Sequence, residues 1–187
     1  RGRLARRIAP ALVLRGGGVC WPVTSSQEPA MPVPPIPPGL HTIQPYFIAR
    51  GVPRLIDFCK QAFAATEMHR STTPDGTVMH AQLKIGDSMV MMGEAHAQWT
   101  PMPAAIYMYV PDVDATYAKA IAAGGESLAA PSDQFYGDRM SGVKDLCGNM
   151  WWIATHVEDV PADELERRQA EAMKQRAAAA AAGSAAQ

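Results

Sequence analysis

The residues best suited to chemistry are a histidine and an Asp-Arg pair, each in a short strand-like run. An imidazole exchanges protons near neutral pH, so His80 in MHAQL is a candidate acid/base catalyst whose tautomer Gln82 or a tyrosine could fix. The alternative is a histidine hydrogen-bonded across adjacent strands. In YGDRM, the planar guanidinium of Arg139 could hold a ligand carboxylate or phosphate, or form a structural ion pair. Strand neighbours face opposite sides, so Asp138 need not be its partner.

Two adjacent tryptophans, Trp151 and Trp152, follow a Gly-Asn turn signal in CGNMWWIATH. Successive side chains of a strand point to opposite faces, so the two indoles cannot share one core. One tryptophan should be buried, and the other should face a second surface.

The elements that position these residues occur twice. Residues 41–63 predict a strand, a Gly-Pro break and an amphipathic helix, and residues 104–125 repeat that order. Three strand candidates separated by turn signals follow each helix. They are residues 65–72, 77–85 and 88–94 in the first half, and 126–130, 138–144 and 149–155 in the second. Sliding the first half by 61 positions superposes Gln44 on Ala105, so the sequence predicts an α+β fold with two tandem βαβββ modules.

Charge and cysteine content exclude several classes of function. The chain of 187 residues has 17 basic and 18 acidic side chains, a net charge of −1, and so no electrostatic footprint for nucleic acid or an anionic membrane. No apolar run approaches the ~18 residues that span a bilayer. Cys20, Cys59 and Cys147 show no CxxC or Cys/His spacing, which argues against a disulfide framework and a zinc site and favours a reducing cytoplasm.

Composition divides the chain into three parts. We expect a disordered Arg/Pro-rich leader at residues 1–39, a domain at residues 40–157 made of modules 40–94 and 103–157, and a C-terminal helix with an Ala-rich tail at residues 158–187. The leader's arginines could also indicate a transit peptide, but a dispensable extension with Met31 as the true start is favoured.

The runs MHAQLKIGDS, DQFYGDRMSGVKD and GNMWWIATHVED resemble the vicinal oxygen chelate (VOC) superfamily. That superfamily includes glyoxalase I, bleomycin-resistance proteins and extradiol dioxygenases, and the resemblance is closest to its PhnB-like branch. It covers about residues 40–168. It implies two modules that curl into an open, cup-shaped mixed sheet with helices on the outer face and a small-molecule site inside. Dimers are usual in such proteins, sometimes with modules exchanged between chains.

The resemblance also implies where a metal would be bound. In metal-dependent members, a His or Gln of the first strand and a Glu of the last strand in each module are ligands. Those positions fall on Gln44, Met91, Ala105 and Trp152. Alanine offers no donor atom, indole only an N–H, and methionine a soft thioether, so only Gln44 suits a hard divalent ion. The expected cup therefore lacks the usual metal centre and any cofactor, and it has Trp152 on its wall.

Small-molecule binding is the expected function. The residues expected to contact the ligand are Gln44, Tyr46, Met91, Tyr107, Arg139 and Trp152, with His80 as the catalytic candidate. The ligand is expected to be aromatic or apolar, bound by a homodimer. Three alternatives remain open. The aromatic and Met side chains could fill the cup themselves; a metal-dependent glyoxalase-like lyase or isomerase could acquire its metal through Gln44, His80, Glu94 or exchanged modules; or the protein is an interaction scaffold.

Overall fold

The computed structural model of the chain describes residues 33–184. Residues 1–32, which hold most of the expected leader, and residues 185–187 lie outside the described part.

Each half of the described chain folds as a βαβββ module, which confirms the predicted fold class. The first module contains β1 (Tyr46–Ala49), α1 (Val52–Phe63), β2 (Thr66–Thr72), β3 (Val78–Ile85) and β4 (Ser88–Glu94). The second contains β5 (Ala105–Tyr109), α2 (Val113–Ala122), β6 (Glu126–Asp133), β7 (Asp138–Lys144) and β8 (Met150–His156). A long polar helix, α3 (Ala162–Ser184), follows.

The two modules form separate four-stranded mixed sheets with the same topology. Their strand orders are β1-β4-β3-β2 and β5-β8-β7-β6, and in each the first strand pairs in parallel with the last. Tyr46 pairs with Met91 in the first sheet, and Tyr107 pairs with Trp152 in the second. Tyr107 and Trp152 each lie 61 positions after the corresponding residue of the first module. The predicted superposition therefore matches the observed register at these strands.

Both helices bury an apolar side, and both receive a cap from the last strand of their module. The predicted amphipathic character of α1 is observed, since one side of the helix buries Leu55, Ile56, Cys59 and Phe63. At its start, the Glu94 carboxylate accepts hydrogen bonds from the backbone N–H groups of Gly51 and Val52 at 2.6 and 2.9 Å. In the second module, Thr155 Oγ1 accepts from Val113 N at 2.9 Å. Orphan N–H groups at both helix starts are thus satisfied.

A single hydrophobic core joins the modules. It lies on the helix-covered faces of the two sheets, where α1 packs against α2. Phe47 of β1 stacks on Trp151 of β8 with ring centroids 5.4 Å apart, and Phe63 of α1 contacts the same indole at 4.7 Å. Each sheet therefore turns one face to the shared core and leaves the other face open.

One strand is longer than predicted. β6 does not end at Ala130 but continues through Pro131 to Asp133. A proline removes one ladder hydrogen bond, which an edge strand tolerates, and β6 is the edge of its sheet. The register shifts between Ala129 and Ser132, so the ladder is irregular where the proline lies.

The helix α3 is held at its start by arginine-carboxylate pairs. Arg168 pairs with Glu158 and with Glu164, each at 2.7 Å. Within residues 33–184, no helix is both long enough and apolar enough to cross a membrane.

Candidate functional site on the open sheet faces

The strand registers place equivalent rows of side chains on the two open faces. In the first sheet, the row across β1, β4, β3 and β2 is Tyr46, Met91, Gln82 and His69. In the second sheet, the row across β5, β8, β7 and β6 is Tyr107, Trp152, Gly142 and Ala129. The first row is polar at two of its four positions, whereas the second begins with two large aromatic rings. Tyr46, Met91, Tyr107 and Trp152, all predicted site residues, therefore occupy matching positions.

His80 lies between two polar partners on the first open face. Its Nδ1 is 3.4 Å from the Tyr46 hydroxyl, and its Nε2 is 3.3 Å from Gln82 Nε2. The predicted partners, a tyrosine and Gln82, are both in place. In the tautomer that carries the ring proton on Nδ1, His80 Nε2 accepts from the Gln82 amide and Nδ1–H is directed at the Tyr46 oxygen. Proton transfer at this face would involve the Tyr46 hydroxyl.

Trp152 lies on the second open face, where a glycine makes room for its ring. A Cβ added to Gly142 would lie 2.4 Å from Cζ3 of the indole, so the ring covers the β7 backbone directly. The first sheet has an equivalent glycine beneath an aromatic side chain, since a Cβ on Gly93 would lie 2.9 Å from the Tyr46 hydroxyl. A glycine under each ring lets the aromatic side chain lie flat on its sheet.

Trp151 occupies the opposite face, as strand alternation predicted. It is buried in the shared core, and its Nε1–H donates to Asp145 Oδ2 at 2.9 Å. Asp145 also accepts from the backbone N–H groups of Cys147 and Asn149 and from the Asn149 amide. Four donors therefore satisfy this buried carboxylate and fix the turn before β8.

A polar cluster that the sequence did not reveal lies at one end of the second open face. The Asp138 carboxylate is 3% exposed and accepts hydrogen bonds from the hydroxyls of Tyr107 and Tyr109 at 3.2 and 2.9 Å. Its other oxygen is 2.8 Å from His156 Nδ1, and His156 Nε2 is 3.0 Å from Asp159. Tyr107 and Tyr109 lie 31 and 29 positions before Asp138, and His156 lies 18 positions after it, so no local motif indicates the cluster. The i, i+2 spacing of the tyrosines was the one available signal.

The cluster shifts the titration of its members. The hydrogen bonds of His156 to Asp138 and then to Asp159 raise the pKa of the imidazole. Burial opposes ionisation of Asp138, but hydrogen bonds from His156 and the two tyrosines outweigh it, and the pKa of the carboxyl is lowered. Burial, then the neighbouring Tyr136 hydroxyl and the Asp138 carboxylate, raise the pKa of Tyr107. The directions of these pKa shifts favour an imidazolium-carboxylate pair flanked by neutral phenols.

At the four positions where the resemblance implies metal ligands, three side chains lack a hard donor atom. Met91 and Trp152 place a thioether and an indole on the open faces of their respective sheets, and Ala105 has no donor atom. Gln44 precedes β1 rather than lying within it, and its amide donates to His41 O at 2.8 Å. In the described part of the chain, no three His, Cys, Asp or Glu side chains are grouped to hold a metal ion.

The alternative ligand set is not brought together either. Glu94 directs its carboxylate to the start of α1, whereas His80 lies with Tyr46 on the open face. Gln44 makes its hydrogen bond to the preceding segment. These three side chains therefore do not converge on one point.

Arg139 is the predicted ligand residue that the structure separates from the others. Its neighbour Met140 pairs with Ala154 on the open face, so Arg139 points to the helix-covered side, where Asp114 of α2 accepts at 2.7 and 2.9 Å. Asp133 accepts a third bond at 3.0 Å. The guanidinium forms the structural ion pair that was the alternative, and Asp138 is not its partner.

Comparisons with known proteins agree with this architecture. The family model for the Glyoxalase/Bleomycin resistance protein/Dioxygenase superfamily matches residues 40–153. An uncharacterized protein of Mycobacterium bovis is 33% identical over 135 residues, which are 66% of this chain and 89% of that protein. Among solved structures, TioX from Micromonospora sp. ML1 has a TM-score of 0.52 at 24% identity, covering 62% of this chain and 96% of its own.

A second solved structure has the same fold. Protein PA1353 from Pseudomonas aeruginosa has a TM-score of 0.53 at 19% identity, covering 62% of this chain and 98% of its own. At such identities the likeness concerns the fold, while the family model spans more than half of the chain. The chain with two βαβββ modules and open aromatic faces therefore belongs to the Glyoxalase/Bleomycin resistance protein/Dioxygenase superfamily.

Proposed function

We propose that the protein binds a small aromatic or apolar molecule on its open sheet faces without the metal centre usual in the superfamily, as a PhnB-like member. The observation that carries the proposal is the exposure of the aromatic side chains on these faces. Tyr46 is 48% exposed and Tyr107 45% exposed, while the helix-covered faces are fully packed. Exposed rings that lie flat on a sheet offer stacking surfaces for a planar ligand.

Ligand binding is tested by fluorescence. A panel of aromatic and conjugated compounds should include one that quenches the emission saturably, and Trp152→Ala should remove most of that response. The matched control is Trp151→Phe, which changes the buried ring and should leave the ligand affinity unaltered. A panel without saturable quenching would support side chains that fill the cup themselves.

Metal independence is tested by elemental analysis. Protein purified with Ni, Co, Zn or Fe and then dialysed should retain less than stoichiometric metal, and a chelator should leave its melting temperature unchanged. The reason is that Met91, Ala105 and Trp152 offer no hard donor atoms. Stoichiometric retained metal would contradict the proposal.

We also propose that two chains associate through the rims of the open faces, which leaves the interior of each face to the ligand. The large side chains exposed there include Tyr109, which is 64% exposed, besides the tyrosines already described. Monomers rarely leave such surfaces uncovered, and a second copy related by a two-fold axis would cover them. Sedimentation should give a homodimer at micromolar concentration.

A cytoplasmic location completes the proposal, since Cys59 and Cys147 are both free thiols.

Acid/base catalysis at His80 is the second candidate function. It is favoured by the contacts of both ring nitrogens with Tyr46 and Gln82 on an open face. If the protein isomerises a bound carbonyl compound, His80→Gln should abolish turnover while leaving ligand affinity within a factor of about two. Equal loss of affinity and turnover would assign His80 to binding alone.

A further inference from the structure

The segment between the modules is fixed to β1 at both its ends. The backbone N–H groups of Ala95 and Met102 donate to carbonyls of β1 at 2.8 and 3.0 Å. Between them, His96 and Trp99 exchange two backbone hydrogen bonds of 2.9 and 3.0 Å. Trp99 is therefore held at the end of a tight turn, and its side chain remains 59% exposed.

This turn encloses a cavity at the edge of the first open face. The cavity has a volume of about 470 Å³, within the usual size range of small-molecule sites. Tyr46, Ile48 and Gly93 line it from the sheet, and His96 and Trp99 line it from the turn. One wall is thus the open face that carries His80, and the other is an indole supplied by the connecting segment.

The lining offers no lysine or arginine to an anionic ligand among the described residues around the cavity. Glu94 lines it, but its carboxylate is already bound by the N–H groups of Gly51 and Val52. Ile48 and Met79 add apolar surface. A carboxylate or phosphate would lose its hydration here without gaining a cationic partner.

One hydrogen-bond donor remains available to a ligand. In the tautomer in which His80 Nε2 accepts from Gln82 Nε2, the neutral ring donates its Nδ1 proton toward the Tyr46 oxygen. The Tyr46 hydroxyl is then an acceptor from His80, and its own hydrogen is free. That hydroxyl lies over Gly93, which also lines the cavity.

We propose that this cavity binds a neutral, planar aromatic molecule with a hydrogen-bond acceptor such as a carbonyl, stacked on Trp99 and accepting from the Tyr46 hydroxyl. The inference rests on the proposed function and narrows its ligand class and its position. The equivalent Tyr107 cannot act in this way, because its hydroxyl donates to Asp138 at 3.2 Å. The two modules therefore supply a matched pair of tyrosines, one with a free donor and one without.

The experiment compares three probes by equilibrium dialysis against the full chain. Coumarin is neutral with a carbonyl acceptor, naphthalene has similar shape without an acceptor, and coumarin-3-carboxylate is anionic. Coumarin should bind most tightly. Tyr46→Phe should weaken coumarin about fivefold and leave naphthalene unchanged, because one hydrogen bond is lost. Trp99→Ala should weaken both neutral probes by about tenfold through lost aromatic contact.

Several results would overturn the inference. If Trp152→Ala abolishes coumarin binding while Tyr46→Phe and Trp99→Ala leave it intact, the ligand lies on the second sheet, and the proposed function stands without this cavity. Tighter binding of coumarin-3-carboxylate would contradict a neutral ligand. Affinity that weakens as protein concentration rises would assign the cavity to a second copy. If no probe binds, both proposals fail.

Discussion

Replacing each of the adjacent tryptophans by alanine separates the packed face of β8 from its open face. Trp151 is 1% exposed, its ring contacts Phe47 and Phe63, and its N–H is bound by Asp145. Removing a buried aromatic ring leaves a cavity that costs roughly 3 to 5 kcal/mol, and the lost hydrogen bond to Asp145 adds about 1 kcal/mol. Trp151→Ala should therefore lower the free energy of unfolding by about 4 to 6 kcal/mol.

Trp152→Ala should cost far less stability. The indole of Trp152 is partly exposed and lies over Gly142, so its removal opens no closed cavity. The loss is the burial of one ring side, about 1 to 2 kcal/mol in unfolding free energy. The same change should cost about 1 to 3 kcal/mol of binding free energy for an aromatic ligand, because the stacking surface is gone.

Urea unfolding monitored by far-ultraviolet circular dichroism gives both numbers, provided that the denaturant slopes of the variants match that of the wild type. Ligand affinity is measured on the folded variants by equilibrium dialysis. If Trp152→Ala were the more destabilising of the two, or if it left every aromatic ligand's affinity unchanged, the open face would be part of the protein's own core.

Three further predictions concern groups around the two faces. The raised pKa of His156 means that its imidazolium contributes stability in full below its ordinary value of 6.5 and loses it as pH rises through the raised value. The free energy of unfolding of the wild type should thus decline as pH rises from 6.5 through the raised pKa of His156, and His156→Gln should remove this decline. If the variant kept the same pH dependence, the pair of His156 with Asp138 would not be stabilising. Ser141 Oγ is buried without a hydrogen-bond partner among the described residues, so Ser141→Ala should raise the midpoint of urea unfolding by an amount equivalent to about 1 kcal/mol. Glu94→Ala should cost about 1 to 2 kcal/mol of unfolding free energy by exposing two N–H groups of α1, and Thr155→Ala, at the equivalent position, about 1 kcal/mol; no difference from wild type in either variant would contradict the caps.

Most of the fold could be predicted from the sequence, because the turn and strand patterns are local and occur once in each module. Turn residues separate the strands of each module, and β4 and β7 have the predicted bounds, Ser88–Glu94 and Asp138–Lys144. The face of each tryptophan also follows from alternation once the strand is known. The end of β6 was missed because a proline is read as a break, although an edge strand has one free side.

The site is less predictable because its contacts cross the sheet. Arg139 pairs with Asp114 on α2, twenty-five positions away, and only the packing of α2 on β7 brings them together. The Asp138 cluster depends on the register between β7 and β8, which a single sequence does not fix. Trp99 carries no periodic signal, and its position depends on how the connecting segment is bound to β1.

The shared core has a consequence for how such a chain can change its ligand. Residues that hold the two modules together, such as Phe47, Trp151 and Val143, lie on the helix-covered faces, whereas the rings available to a ligand lie on the reverse of the same strands. A substitution at an open position therefore alters ligand recognition, while the hydrophobic core on the other side of the sheet keeps its packing. Because side chains alternate along a strand, substitutions that change ligand specificity fall largely on other positions than substitutions that destabilise the fold. The same scaffold can therefore acquire a new ligand without changes in its core.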